Sequence, residues 1–359
     1  KMAVIQPRTL SGMMELLPKK QLQMEQMMDA LRRTYSLYGF TPLDTPVIEA
    51  AEILLAKSGG ETEKQIYRFE RGDTDLALRF DLTVPLAKYV ALHYGELSFP
   101  FRRFQIGKVY RGERTQRGRF REFYQADIDI IGDGKLDIIN EAEIPSVIYR
   151  TFTALGLRRF CIRMNNRKIL NGFFEMLGLR EQSGDVMRVI DKWDKVGAEK
   201  IKEMLVQDLS LEEETAARIL AFLSENGDVQ AILGMLDRMA GQNETFDAGA
   251  AELKTVIAYL EQFGVPAQAY TVDLTIARGL DYYTRTVFEF VSDALGAQAV
   301  VCGGGRYDGL IDELGGTHLP SLGFGMGLER LLMVMPDAEA ALDDLERLAG
   351  ELKRGRKLP

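Results

Sequence analysis

Three stretches of this chain alternate between apolar and polar residues, and that alternation limits what they can fold into. From Arg121 to Ile131 the even positions include Tyr124, Ala126, Ile128 and Ile130; the odd positions are Arg121, Phe123, Gln125, Asp127, Asp129 and Ile131. From Leu76 to Thr83, Leu76, Leu78, Phe80 and Leu82 alternate with Ala77, Arg79, Asp81 and Thr83. From Thr271 to Ala277, Val272, Leu274 and Ile276 alternate with Thr271, Asp273 and Thr275. Successive side chains of a strand point to opposite faces, so each stretch predicts a strand with one apolar and one polar face. One such strand reads as the solvated side of an antiparallel sheet. Several, bearing carboxylates and amides beside arginine- and glycine-rich segments, predict the floor of a polar pocket.

The surroundings predict an α+β chain. Met24, Met27, Met28, Leu31, Tyr35 and Tyr38 recur at helical spacing from Lys19 onward, and Gly39 stands where a C-terminal cap belongs. Thr41 to Glu49, with Pro42 and Pro46, reads as an extended edge or interface element. Residues 166–263 are rich in helix formers, with a capping-box spacing at Ser210–Glu213 and plausible breaks at Gly184, Gly227 and Gly241. Strand-like sequence resumes at Tyr270, which predicts a helical domain inserted into an antiparallel sheet of six or seven strands. The expected divisions are 1–165, the insertion 166–263, 264–335, and a charged C-terminal helix and tail over 336–359.

Composition narrows the function. A net charge of −8 argues against holding nucleic acid by overall charge, while leaving room for a local basic surface. No apolar run approaches the ~20 residues of a membrane helix. Two cysteines and two histidines offer neither a disulfide framework nor a zinc spacing. A reducing, cytoplasmic setting is the expectation.

Four segments carry chemistry. Between Arg111 and Arg121 lie five arginines, on a loop joining two predicted strands. Guanidinium groups keep their charge and present forked donors, which suits phosphate, and Phe123 on the polar side suits stacking on a base. A charged surface hairpin would read alike. Arg278-Gly279-Leu280-Asp281-Tyr282-Tyr283 fits the anchoring of a polar ligand, or a structural turn. Gly303-Gly304-Gly305-Arg306-Tyr307-Asp308-Gly309 permits close backbone approach, or marks a tight turn. Gly323-Phe324-Gly325-Met326-Gly327-Leu328-Glu329-Arg330 leads into an apolar helix with an arginine in its first turn, a place that favours anions. It lacks the ending of a Walker loop and the βαβ setting of a dinucleotide fingerprint.

In this order, the segments resemble the class II aminoacyl-tRNA synthetases, and specifically the histidyl-tRNA synthetase family, over about Arg8 to Met335. Thr45-Pro46-Val47-Ile48-Glu49 is similar to motif 1, Tyr110 through Phe123 to motif 2, and Gly325 through Arg330 to motif 3. The Arg278 and Gly304 segments resemble two histidine-specific signatures. The resemblance implies a class II fold, a homodimer, and ATP, L-histidine and tRNA(His) as substrates. It implies that Arg111 and Arg278 are catalytic, at the α-phosphate. Glu113, Arg119 and Phe123 would bind the rest of ATP with Arg330 on the γ-phosphate, and Mg²⁺ would be held mainly by the phosphates. Asp81, Thr83, Gln125, Asp129, Arg278, Tyr282 and Tyr283 would bind histidine. No metal ligands of the protein's own are expected.

One departure accompanies the resemblance. The family continues after motif 3 into an anticodon-reading module of a domain's length, ~100 residues, whereas 24 residues follow Met335 here. Weakened tRNA binding is the expectation. A synthetase-like regulatory subunit of ATP phosphoribosyltransferase shares the fold without that module and is the alternative. It would bind histidine and catalyse nothing. The presence of Arg111, Glu113, Arg278 and Arg330 together favours the enzyme.

Overall fold

The computed structural model describes residues 6–56, 61–115, 118–157, 159–225, 227–277, 282–292, 294 and 299–335. Arg278 and the predicted C-terminal helix lie outside them. The first half of the chain runs α1 (Pro18–Leu37), β1 (Thr41–Pro42), β2 (Ile48–Ala50), α2 (Ala51–Leu55), α3 (Glu61–Gln65), β3 (Arg68–Arg71), β4 (Thr74–Leu78), α4 (Thr83–His93), β5 (Phe101–Tyr110), β6 (Glu122–Ile131), α5 (Ile139–Ala154) and β7 (Cys161–Asn166). Six helices follow: α6 (Arg167–Met176), α7 (Ser183–Ile190), α8 (Trp193–Gln207), α9 (Glu213–Leu223), α10 (Val229–Arg238) and α11 (Glu244–Gln262). The chain then returns through β8 (Tyr270–Val272), β9 (Thr286–Ser292), β10 (Ala299–Tyr307), α12 (Leu310–Gly315), β11 (Ser321–Gly327) and α13 (Leu328–Val334).

The main sheet has eight strands in the order β1-β5-β6-β11-β10-β9-β7-β8, and β2-β4-β3 make a second sheet. The expected six or seven antiparallel strands are thus exceeded by short edges. The added pairs, β1 on β5 and β7 on β8, are parallel. A strand of two or three residues leaves almost no periodic trace, so sequence pattern could not count them.

The apolar face of the sheet carries the core. Ala126, Ile128 and Ile130 of β6 are fully buried, as is the α1 stripe of Met24, Met27, Leu31 and Tyr35. The Tyr35 and Phe104 ring centroids lie 5.8 Å apart. Each such side chain contributes about 1.5–3 kcal/mol through burial. Pro18 opens α1, and Gly39, at φ +76°, ends it as predicted.

Two predicted strands are shorter than their alternation. The chain leaves β4 after Leu78, because Arg79 is buried and its Nε donates to the Lys108 carbonyl at 2.7 Å. Asp81 Oδ1 then accepts the N–H groups of Thr83 at 3.0 Å and Val84 at 2.9 Å, which starts α4. β8 stops at Val272, since Asp273 Oδ1 accepts from the Thr275 N–H at 3.0 Å in a side-chain turn. The expected capping box does not form either. Ser210 takes φ +57° to close the turn after α8, and α9 begins at Glu213 with Glu212 at its cap position. Gly227 and Gly241 fall between helices, but Gly184 lies in the first turn of α7. The break that spacing missed is Gly197, at φ +78° inside α8. Among the described residues, no helix is long and apolar enough to cross a membrane.

Candidate active site

The two glycine-rich segments are neither tight turns nor a loop before a helix: they are β10 and β11, at the centre of the sheet. Register explains why. Arg103 of β5 faces Asp129 of β6, which faces Gly323 of β11, which faces Gly305 of β10. The next row runs Gln105, Asp127, Gly325, Gly303. Charged side chains rooted on β5 and β6 therefore lean over the glycines that β11 and β10 present on this face. A Cβ on Gly323 would sit 2.1 Å from Asp129 Oδ1, and one on Gly325 2.7 Å from Asp127 Oδ1. Phe324 and Met326, on the opposite face, are buried in the core. The alternation of glycine with apolar residues hollows one face and fills the other.

The inner part of this hollow is rich in acceptors. Arg103 is completely buried, and its Nη2 pairs with Asp129 Oδ2 at 2.7 Å. Tyr307 donates its hydroxyl to Asp129 Oδ1 at 2.6 Å. Burial raises the Asp129 carboxyl above its ordinary range despite Arg103 and Tyr307, which pull it down. Burial pushes Asp127 up further, against the pull of Arg103. Asp127 Oδ1 and Gln125 Oε1 have no hydrogen-bond partner among the described residues. Orphaned buried acceptors call for donors, and the ligand that best supplies them is cationic or rich in N–H groups. The Tyr282 ring centroid lies 4.8 Å from that of Tyr283 in a tilted contact and 5.7 Å from that of Tyr307 edge-on. Tyr283 itself is buried beside Ile276 and Val287. Asp81 and Thr83 stand at the start of α4 rather than on a strand face, and Asp81 already spends one oxygen on the helix.

The outer part is a cleft of about 440 Å³ whose lining includes Arg111, Glu113, Arg119, Phe123, Gln125 and Arg330. Motifs more than 200 residues apart thus meet in one cavity. The Arg111 guanidinium lies 4.4 Å from the Phe80 ring centroid and 5.2 Å from that of Phe123. Its Nε donates to the Phe80 carbonyl at 3.1 Å. Arg330 Nη1 donates to the Val300 carbonyl at 2.7 Å. Burial, and then the charge of Arg119, lower the Arg330 pKa against the pull of Glu113. Arg119 approaches Glu113 at 3.6 Å, while Arg121 is turned away, its Nε bonded to the Glu113 carbonyl. Glu329 accepts the Tyr124 N–H at 2.9 Å, and burial raises its carboxyl to about 7. The cleft is positive within an acidic chain, which suits a polyanion beside an aromatic ring.

Sequence pattern missed Arg103, and it assigned no role of their own to Asp127, on the predicted polar face, or to Tyr307, in the Gly303 segment. Arg103 had a signal, since Arg103, Gln105 and Gly107 alternate with Phe104 and Ile106 along β5. Arg306, in the same signature as Tyr307, points elsewhere and pairs with Glu141 at 3.0 Å under the sheet.

Comparison with known proteins agrees with this geometry. The family profile described as histidyl-tRNA synthetase matches residues 12–331. A histidine–tRNA ligase of Clostridium tetani is 52% identical over 336 residues, covering 94% of this chain and 76% of that protein. The crystal structure of histidyl-tRNA synthetase from Nostoc sp. PCC 7120 superposes with a TM-score of 0.81 at 36% identity, covering 98% of this chain and 77% of that one. A Bacillus halodurans C structure, titled as an ATP phosphoribosyltransferase regulatory subunit/histidyl-tRNA synthetase, reaches a TM-score of 0.79 at 22% identity, over 99% of this chain and 92% of that one. That last likeness is one of fold alone, and fold cannot separate enzyme from regulator. Sequence identity and the match along the whole signature-bearing region can, and by both the chain belongs to the histidyl-tRNA synthetase family.

Proposed function

We propose that this chain activates L-histidine with ATP and transfers the histidyl group to tRNA(His). A carboxylate oxygen of histidine attacks the α-phosphorus, the bond to the bridging oxygen breaks, and pyrophosphate leaves with that electron pair. A hydroxyl of the terminal ribose of tRNA then attacks the acyl carbon of histidyl-adenylate, and AMP leaves. No protein nucleophile is required, so catalysis is positioning and charge stabilisation. The observation that carries the reading is the junction of two opposite pockets at Gln125. An arginine-lined cleft with Phe123 lies on one side and an acceptor-rich hollow on the other.

In this reading Arg111 and Arg278 stabilise the α-phosphate. Glu113 and Phe123 hold adenine, Arg119 and Arg330 take phosphate charge, and Asp81, Thr83, Gln125, Asp129, Tyr282 and Tyr283 surround histidine. Among the described residues no group of three His, Cys, Asp or Glu side chains is placed to seat a metal. The donors facing the phosphates are cationic, so Mg²⁺ enters on the phosphate oxygens as part of the nucleotide substrate. The same residues support the enzyme over a histidine-binding regulatory subunit, which has no need of a nucleotide cleft.

The test is exchange of labelled pyrophosphate into ATP. Exchange should require histidine and no other amino acid; folded protein that binds histidine without exchange would leave the regulatory reading standing. We also propose a homodimer. Ile48, Leu76, Leu78 and Phe69 share one face of the second sheet, and Ile48 and Phe69 are 47% and 40% exposed. An apolar face of this kind calls for a partner. Sedimentation at micromolar concentration should give twice the chain mass, and I48E/F69E should give the monomer.

A further inference from the structure

One wall of the nucleotide cleft comes from the helical segment. Lys195, in the first turn of α8, lines the cleft together with Arg119 and Arg330. It also lines, with Val300, a second cavity of about 410 Å³ between α8 and the sheet. Val300 is the residue whose carbonyl holds Arg330 Nη1. Lys195 and Arg330 therefore both stand by Val300 of β10.

The position of Lys195 is built. Asp194, its neighbour in the chain, pairs with Arg163 of β7 at 2.7 Å. Arg163 is itself buried and bound to Glu289 at 2.8 Å and Asp273 at 3.2 Å. Three carboxylates on one guanidinium fix the head of α8 to the sheet. Gly197, at φ +78°, separates that head from the rest of the helix, so residues 193–196 are aimed by Arg163 and not by the helix axis. No carboxylate among the described residues pairs with the Lys195 ammonium. A cation held over a phosphate-sized cleft, with its neighbours anchored and its own charge unspent, is placed for an anion.

We infer that Lys195 binds the β- and γ-phosphates of the nucleotide beside Arg330 and takes up charge on the departing pyrophosphate. Asp194 is its positioning residue. The inference rests on the adenylation reading above. A lysine suits a group that moves on leaving, because its compact charge carries rotatable donors where an arginine fork is fixed.

The experiment is calorimetric binding of ATP and of AMP to the whole chain, with K195A, K195R and D194N. Loss of one charged contact predicts about tenfold weaker ATP binding in K195A. AMP, which has neither distal phosphate, should change less than twofold. K195R should restore ATP binding, and D194N should weaken ATP selectively and by less than K195A. Equal weakening of both nucleotides, or no weakening of either, would overturn the inference while leaving adenylation intact. A wild-type chain that binds no ATP would sink the adenylation reading and this one with it. Melting temperatures of the variants guard against reading misfolding as lost contact.

Discussion

Replacing Arg103 with methionine should destabilise the chain by about 3–5 kcal/mol, the range expected when one partner of a buried ion pair is removed. Arg103 is fully enclosed, and among the described residues no other gives Asp129 a side-chain cation: the contact at 2.7 Å is matched on the other oxygen by the Tyr307 hydroxyl. Asp127 and Asp81 lean on the same guanidinium, since its charge opposes the upward push of burial on both. Without it, Arg111 and the Val84 and Thr83 N–H groups still support Asp81, whereas Asp129 and Asp127 lose the largest charge that opposes burial and respond by taking up protons. That gives the prediction a sign in pH. A carboxyl whose folded pKa is raised above its unfolded value, near 3.9 for aspartate, is neutral in the fold and ionised in the open chain at pH values between the two. The fold then loses stability as pH rises past the unfolded value, until the folded pKa is reached. Removing Arg103 raises the folded values of Asp129 and Asp127 further, so the deficit of R103M should widen from pH 5 to pH 8. Urea unfolding at the two pH values measures it. A deficit below 1 kcal/mol, or one equal at both, would mean that Arg103 is not what makes the carboxyl cluster tolerable. Adding D129N should recover part of the loss, because it removes the charge left unpaired.

Where sequence pattern failed, the cause was contact with distant residues. The β6 alternation was legible because Phe123 to Ile130 obey one period without a break, and the structure pairs them as read. The 76–83 stretch obeys the same period over an equal length, yet Arg79 leaves the strand to bond the Lys108 and Thr45 carbonyls. Nothing local announces those two partners. In β10 and β11 the local signal points the wrong way, since glycine disfavours strands. Gly323 and Gly325 of β11 are required because Asp129 and Asp127 occupy the space that Cβ atoms would need, and Gly304 and Gly305 of β10 because the Gly323 and Thr286 carbonyls do, reasons that exist only once the neighbouring strands lie alongside. The candidate site was legible to the extent that its residues fall in linear motifs: Arg111, Glu113, Phe123 and Arg330 converge in one cleft. Arg103 and Asp127 carry comparable weight in the pocket and sit outside every glycine- or arginine-rich segment.

Arg111→Ala should lower histidine-dependent pyrophosphate exchange by about 10²–10³-fold, the effect of deleting one preorganised donor aimed at charge developing in a transition state. The preorganisation is visible. The rings of Phe80 and Phe123 both lie against the guanidinium, and the Phe80 carbonyl holds Nε, which leaves the Nη donors for the cleft that Arg111 lines. An arginine placed this way reorganises little when the α-phosphorus acquires its fifth oxygen, and its contribution falls mainly on kcat. The KM for histidine should change by less than threefold, because the acceptors of the inner pocket are untouched. Arg111→Lys separates charge from geometry. The ammonium restores a positive charge but has neither the fork nor the flat surface that the two rings hold. Recovery of no more than about tenfold is therefore expected. Full activity in the lysine variant would show that the site needs a charge there and nothing more. An alanine variant within tenfold of wild type would remove Arg111 from the α-phosphate altogether.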